Sequence, residues 1–279
     1  MVEKASPAVV SIETEIPATI WPDRIDREGL PEWVEEFLES DFVSRNRHSR
    51  GTGFIIEPDG YILTTEHVVD GAARVQVTLG DEKTAAGKVV GVDRMLNLAL
   101  VKIEGENLPH LSLDSPPPVR IGSWAITLGQ PFGLDTSPSW GIVSGLSRCG
   151  LGISPYENLI QLTTPVNPGD SGAPVLNCRG EVIGVIAGSF AGYREMEFDW
   201  DLIRRFHQNF PRSRSGFPGD FFRSSQAQGV SFAIPADLAG KAVEALRAET
   251  GPKRGWMGIH IGRSEKPDSG IPIISVMSD

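Results

Sequence analysis

Nowhere in its 279 residues does this chain carry the uninterrupted run of roughly 18 apolar residues that a membrane-spanning helix needs. It also lacks an excess of positive charge. Its 26 lysines and arginines are outnumbered by 36 aspartates and glutamates, giving a formal net charge of -10 and a pI near 5.1. That is the wrong sign for a phosphate backbone, so nucleic acid is not an expected partner. The opening residues Met1, Val2, Glu3 and Lys4 do not form a basic segment followed by an apolar one, so no export leader is read there and the compartment must rest on other grounds. Cysteine is scarce: the 2 residues, Cys149 and Cys178, sit at neither CxxC nor metal-ligand spacing, and a disulfide and two free thiols both stay open. His48, His110, His207 and His260 lie in unlike contexts and read as solvated or structural, and no metal or organic cofactor is called for.

What the chain does carry is a succession of short runs rich in Val, Ile and Leu between turn signals: Ala8 to Ile12, Thr52 to Ile56, Arg74 to Leu79, Leu98 to Ile103, Trp124 to Leu128, Val175 to Leu176 and Val182 to Ala187. Glycine-rich punctuation between such runs favours a sandwich or barrel over βαβ units, so the fold class is mostly β. Two stretches break the rhythm. Between Ile16 and Arg50, the spacing of Trp33, Val34, Phe37, Leu38 and Phe42 predicts a short amphipathic helix in a long loop. Between Phe190 and Gly229, aromatics stand among arginines, serines and glycines, as in a long functional or disordered insertion. From Pro235 to Thr250, Leu238, Ala242, Val243 and Leu246 predict a C-terminal helix stopped by Gly251 and Pro252.

Three segments offer acyl-transfer chemistry, which needs a hydroxyl nucleophile, a base, a group that orients the base, and donors for an oxyanion. In Asn167-Pro168-Gly169-Asp170-Ser171-Gly172, glycines flank a serine and permit a tight turn with inward N–H groups. His67 closes the apolar run of Tyr61 to Thr64, and Asn97 stands between a polar stretch and the apolar run of Leu98 to Val101. Each feature alone has a plain structural reading: a glycine turn, a satisfied histidine, a loop entering a strand. Their combination outweighs those readings.

In these segments the chain resembles the HtrA (DegP/DegQ) family of trypsin-like serine endopeptidases over nearly its whole length. The likeness is carried by KASPAVVSI (4–12), GTGFIIEPDGYILTTEHVVDGA (51–72), LALVKI (98–103), LGQPFGLDTSPSWGIVSG (128–145), QLTTPVNPGDSGAP (161–174), GEVIGV (180–185) and VSFAIP (230–235). The resemblance implies a chymotrypsin-like pair of six-stranded β-barrels with a C-terminal helix and the active site in the cleft between the barrels. It makes His67 the general base and Ser171 the nucleophile, and it forms the oxyanion hole from the backbone of Gly169, Asp170 and Ser171. It places the substrate pocket on Thr163, Thr164, Pro165 and Val166 and on Val185, Ile186, Ala187, Gly188, Ser189 and Phe190. No acidic residue lines those walls, so small or medium aliphatic residues of unfolded polypeptides are the expected substrates, each methylene worth only about 1–3 kcal/mol of discrimination.

At the third triad position the family pattern has an aspartate before the Leu-Ala strand, and this chain has Asn97. Asparagine cannot supply a negative charge, and its NH₂ could donate to the imidazole and hold the wrong tautomer, so strongly reduced activity is expected. The departure is open to three explanations: an introduced substitution, a naturally weak protease, or a site in which Asp93 or Asp70 substitutes. The competing reading of the whole chain is a catalytically silent member acting as chaperone or scaffold. The resemblance further implies a homotrimer in the periplasm or cell envelope, a protease domain over 1–252, and over 253–279 the opening of a truncated PDZ domain, a peptide-binding module.

Overall fold

The computed structural model describes residues 1–16, 47–114, 116–189 and 229–248, together with two strand segments, 259–261 and 273–276. The helix expected between Ile16 and Arg50, most of the Phe190 to Gly229 stretch, and the stop residues Gly251 and Pro252 lie outside the described residues.

The first barrel is built from β1 (Val9–Ile16), β2 (Arg47–Ile55), β3 (Tyr61–Thr64), β4 (Arg74–Thr78), β5 (Thr84–Asp93) and β6 (Leu98–Lys102), closed in the order β1-β2-β3-β6-β5-β4. The second uses β7 (Trp124–Gly129), β8 (Ser137–Arg148), β9 (Leu159–Leu162), β10 (Pro174–Leu176), β11 (Val182–Ser189) and β12 (Ser231–Pro235), closed in the order β10-β11-β12-β9-β8-β7. Every pairing is antiparallel. The expected double six-stranded barrel is therefore the observed fold, and each apolar run read from the sequence falls on a strand. Strand β5 had no such run, because its residues alternate between exposed and partly buried positions along a sheet face open to water.

The continuous apolar character of β6 has a physical cause in the layering. Ala99 and Val101 turn into the first barrel with Val10, Ile12, Ile55 and Ile62, whereas Leu98 and Leu100 join a second cluster with Phe54, Leu128, Leu176, Val185 and Ile234. That second cluster draws on both barrels, so strands flanking it bury both faces. At about 1.5–3 kcal/mol for each fully buried aliphatic side chain, this shared layer fixes how the barrels dock.

The C-terminal helix, Ala236–Arg247, completes the layer with Ala236, Ala239, Ala242, Val243 and Leu246. Ala239 takes the inner place that the sequence pattern gave to Leu238, which is only partly buried. The helix leaves β12 of the second barrel and ends on the first. There the Arg247 guanidinium lies 4.3 Å from the centre of the Tyr61 ring and pairs with Glu57.

Thr52, with 0 % exposure, ties the barrels together through polar contacts. Its N–H donates to the Ser171 carbonyl at 2.9 Å. Its hydroxyl donates to the Gly169 carbonyl at 2.6 Å and accepts from the Gln130 N–H at 3.0 Å. A Thr52→Val variant keeps the shape but strands the Gly169 carbonyl and the Gln130 N–H, so its unfolding free energy in a urea titration should fall by about 1–3 kcal/mol. An unchanged midpoint would show that the hydroxyl does not tie the barrels.

Candidate active site

His67 sits on a single helical turn, Glu66–Val69, at the end of β3. The turn is anchored by the buried Thr14 hydroxyl, which donates to the Val68 carbonyl at 2.9 Å. His67 itself is exposed, unlike a histidine recruited for packing. The nucleophile turn approaches the same point from the second barrel. A Cβ added to Gly51 would stand 2.4 Å from Val68 Cγ2 and 3.2 Å from the Ser171 carbonyl oxygen, so the His67 turn and Ser171 converge on this glycine.

The turn itself is locked by its backbone. Gly172 has φ +87° and a Cβ there would fall 2.1 Å from the Thr52 carbonyl oxygen, so only glycine lets the two chains meet. The Phe132 N–H donates to the Pro168 carbonyl at 2.9 Å. Because no described peptide bond is cis, the following Gly169 N–H points away from Phe132. Asp170 differs from the sequence reading. Its N–H donates to the Asn167 carbonyl at 3.0 Å, closing the turn, so it is withdrawn from the group of oxyanion donors. The N–H groups of Gly169 and Ser171 donate to no described residue, and two backbone donors beside a hydroxyl suit a tetrahedral oxyanion.

The Asp170 side chain is only 3 % exposed. One carboxylate oxygen, Oδ2, accepts the Asn167 N–H at 2.8 Å, while Oδ1 has no hydrogen-bond partner among the described residues and lies where a Cβ on Gly129 would stand, 1.9 Å away. Loss of water raises its pKa above the ordinary carboxylate value, and the Asn167 N–H only partly opposes that shift.

Asn97, 7 % exposed, occupies a left-handed position with φ 56° between β5 and β6. Its side-chain oxygen lies 3.0 Å from His67 Nδ1 and accepts the His67 backbone N–H at 3.3 Å, and its Nδ2 faces the Ala187 carbonyl at 3.5 Å. The amide therefore presents its oxygen, not its NH₂, to the ring. Asp93 Oδ1 accepts the N–H groups of Met95 and Leu96 at 3.0 and 3.1 Å, shaping the turn that carries Asn97. Asp70 pairs at the surface with Arg94 at 3.1 Å, and Glu66, adjacent to His67, pairs with the same guanidinium at 3.2 Å.

The expected pocket residues divide into two groups. Val185, Ile186 and Ala187 have side chains buried in the barrel layers, so only their backbone is free to meet a substrate. Thr164 is buried with its hydroxyl 3.1 Å from that of Ser231, and Thr163 accepts the Ile142 N–H at 2.9 Å. Pro165, Val166 and Gly188 retain surface, the Ser189 side chain and Phe190 lie outside the described residues, and the cysteines Cys149 and Cys178 are free and exposed. The sequence reading missed the Ala187 carbonyl as the partner of Asn97, since a backbone acceptor leaves no residue-type signal.

Two barrels meeting at a serine, a histidine and a glycine turn define the class, a trypsin-like peptidase domain, and the family model of that description matches residues 51–185. Within that class the chain's relatives are DegP-like and HtrA-type proteases. It is 35 % identical to a probable periplasmic serine endoprotease, DegP-like, of Pseudomonas savastanoi pv. phaseolicola over 95 % of this chain and 52 % of that protein. It is 34 % identical to the protein of the same description from Halomonas elongata, over 94 % and 52 %. The chain thus spans about half the length of these relatives. Among solved structures it is similar to the HtrA-type protease AlgW with a tripeptide, with TM-score 0.70, 26 % identity, and coverage of 100 % of this chain and 75 % of that one. It is also similar to the serine endoprotease from Yersinia pestis, with TM-score 0.64, 25 % identity and coverage of 99 % and 73 %.

The raised pKa of Asp170 has a definite sign in stability. The fold favours its protonated form, so the contribution is present at acid pH and is lost as pH rises through the raised pKa. In a Ser171→Ala background, Asp170→Asn should therefore gain stability relative to Asp as urea titrations move from about pH 4 to about pH 7. A difference independent of pH would show that the buried carboxyl does not titrate as its surroundings imply.

Proposed function

We propose that this chain carries the catalytic domain of a serine endopeptidase that cleaves unfolded polypeptides after small or medium aliphatic residues. The observation that carries the reading is the nucleophile turn, where the Gly169 and Ser171 N–H groups stay uncommitted beside a serine that meets the His67 turn at Gly51. Ser171 Oγ adds to the scissile carbonyl carbon as its proton passes to His67 Nε2, and the carbonyl oxygen gains charge against the two N–H groups. Collapse breaks the C–N bond, with His67 returning the proton to the leaving amine. Water then adds to the acyl group with its proton taken by His67, and the C–Oγ bond breaks as His67 returns that proton to Ser171 Oγ, freeing the acid product.

Asn97 withholds the negative charge that would stabilise the imidazolium, so turnover falls below that of an aspartate triad. That same neutrality favours the second reading, a catalytically silent member that binds unfolded chains as chaperone or scaffold. Casein cleavage separates the two. The protease reading expects measurable turnover that Ser171→Ala and His67→Ala each reduce by at least about 10³-fold, together with covalent labelling of Ser171 by a fluorophosphonate. Casein left intact and Ser171 unlabelled would favour the silent member.

A homotrimer is part of the same proposal. Trp124 and Trp140 are 51 % and 68 % exposed, their rings lie 5.4 Å apart, and Ile142 is exposed directly opposite Trp124 across β7 and β8. An apolar aromatic face of this kind suits burial against another subunit. Light scattering should give three times the chain mass, and Trp124→Glu should give the monomer; a monomeric parent chain would refute the assignment. Placement in the periplasm or cell envelope rests on relatives described as periplasmic and on the family resemblance, and assignment of residues 253–279 to the start of a PDZ domain rests on the family resemblance alone. Residues 259–261 and 273–276 pair as antiparallel strands.

A further inference from the structure

The geometry points to Asn97 as a positioning residue for which this site is built, holding His67 in the tautomer that can accept the Ser171 proton. The inference rests on the protease reading for its catalytic meaning, but its physical core stands on the amide alone. An asparagine side chain can be turned either way by 180°, and only its neighbours decide which end is oxygen. Here two neighbours of fixed character decide alike. The His67 backbone N–H, 3.3 Å from the side-chain oxygen, can only donate. The Ala187 carbonyl, 3.5 Å from the nitrogen, can only accept; the contact is long, and its sense agrees. With oxygen thus fixed toward the ring at 3.0 Å, the neutral imidazole must carry its proton on Nδ1, which leaves Nε2 as the basic nitrogen.

The Ala187 carbonyl also disfavours aspartate at this position, whereas the left-handed φ of 56° suits asparagine and aspartate alike. A carboxylate would bring its second oxygen against the Ala187 carbonyl oxygen, where the amide now places a donor. What the neutral residue forgoes is charge. A nearby opposite charge stabilises a charged partner by an amount worth about 10- to 10³-fold, so its absence is expected to cost the reaction a factor of that order. That is smaller than the loss of about 10⁴ caused by the Asp-to-Asn change in a Ser-His-Asp protease where asparagine also imposes the wrong tautomer.

The test combines a spectroscopic and a kinetic readout on the whole chain. In ¹⁵N-histidine-labelled protein, with the His67 signals assigned by their loss in His67→Gln, the neutral ring should show a protonated Nδ1 and an unprotonated Nε2. A ring protonated at Nε2 overturns the proposal. Fluorophosphonate labelling of Ser171 should rank Asn97→Asp above the parent by about 10- to 10³-fold, with Asn97→Ala below the parent by about 10²-fold. Asn97→Asp should also unfold at lower temperature than the parent, despite its faster labelling. An alanine variant as fast as the parent, or an aspartate variant that is more stable, overturns the claim that the site is built for the amide. If no variant labels while the Nδ1 proton is present, the tautomer assignment stands and the protease reading falls.

Discussion

The cleft depends on the position of Thr52, a buried residue of the first barrel whose hydrogen bonds run to the second. Its N–H reaches the Ser171 carbonyl and its hydroxyl reaches the Gly169 carbonyl, so both residues of the nucleophile turn hang from one side chain and one amide. Its own carbonyl accepts the Thr64 hydroxyl at 2.8 Å, close to the end of the strand that leads to His67. The His67 and Ser171 segments are thus referred to the same residue. Small displacements between reacting groups are costly in rate, and this arrangement transmits little relative motion of the barrels to them.

Apolar packing supplies the stiffness behind that polar contact. The layer shared by Phe54, Leu98, Leu128, Val185 and Ile234 fills the space between the barrels, and the C-terminal helix closes it from outside. Asn97 and Ala187 face each other across the same junction, one at the start of β6 and the other on β11. The orientation of an amide in the active site is therefore set by the docking of two barrels and not by the local loop alone.

Much of this was legible in the sequence, for reasons that differ by element. Strands such as β6 and β11 announced themselves because they bury both faces, which leaves unbroken apolar runs. Strand β5 did not, because one face is open to water and its glycines, lysine and threonine carry no run. His67, Asn97 and Ser171 stood out through ordered motifs, and the structure brings the segments that bear them together. Contacts made by backbone atoms were not legible. The Asp170 N–H is engaged by the Asn167 carbonyl, and the Ala187 carbonyl orients Asn97, yet neither residue type encodes those roles. The family resemblance placed the Val185 to Ala187 run in a pocket wall, although its side chains serve the core.

The charge balance around the base follows a single pattern. Glu66 and Asp70, the carboxylates adjoining His67 in sequence, are both held by Arg94. Asp170, next to the nucleophile, is driven by burial toward its protonated form. Asn97 adds no charge. On the proposed mechanism the imidazolium therefore forms with little local compensation from these residues, and a larger part of the catalytic effect falls on the Gly169 and Ser171 N–H groups. Such donors gain strength as substrate excludes water, since charge developing on the oxyanion is then less screened. A site balanced in this way depends more on how completely a polypeptide fills the cleft than an aspartate triad would. Its rate should therefore be governed by the fit of the bound chain to the oxyanion donors and less by the intrinsic strength of the base.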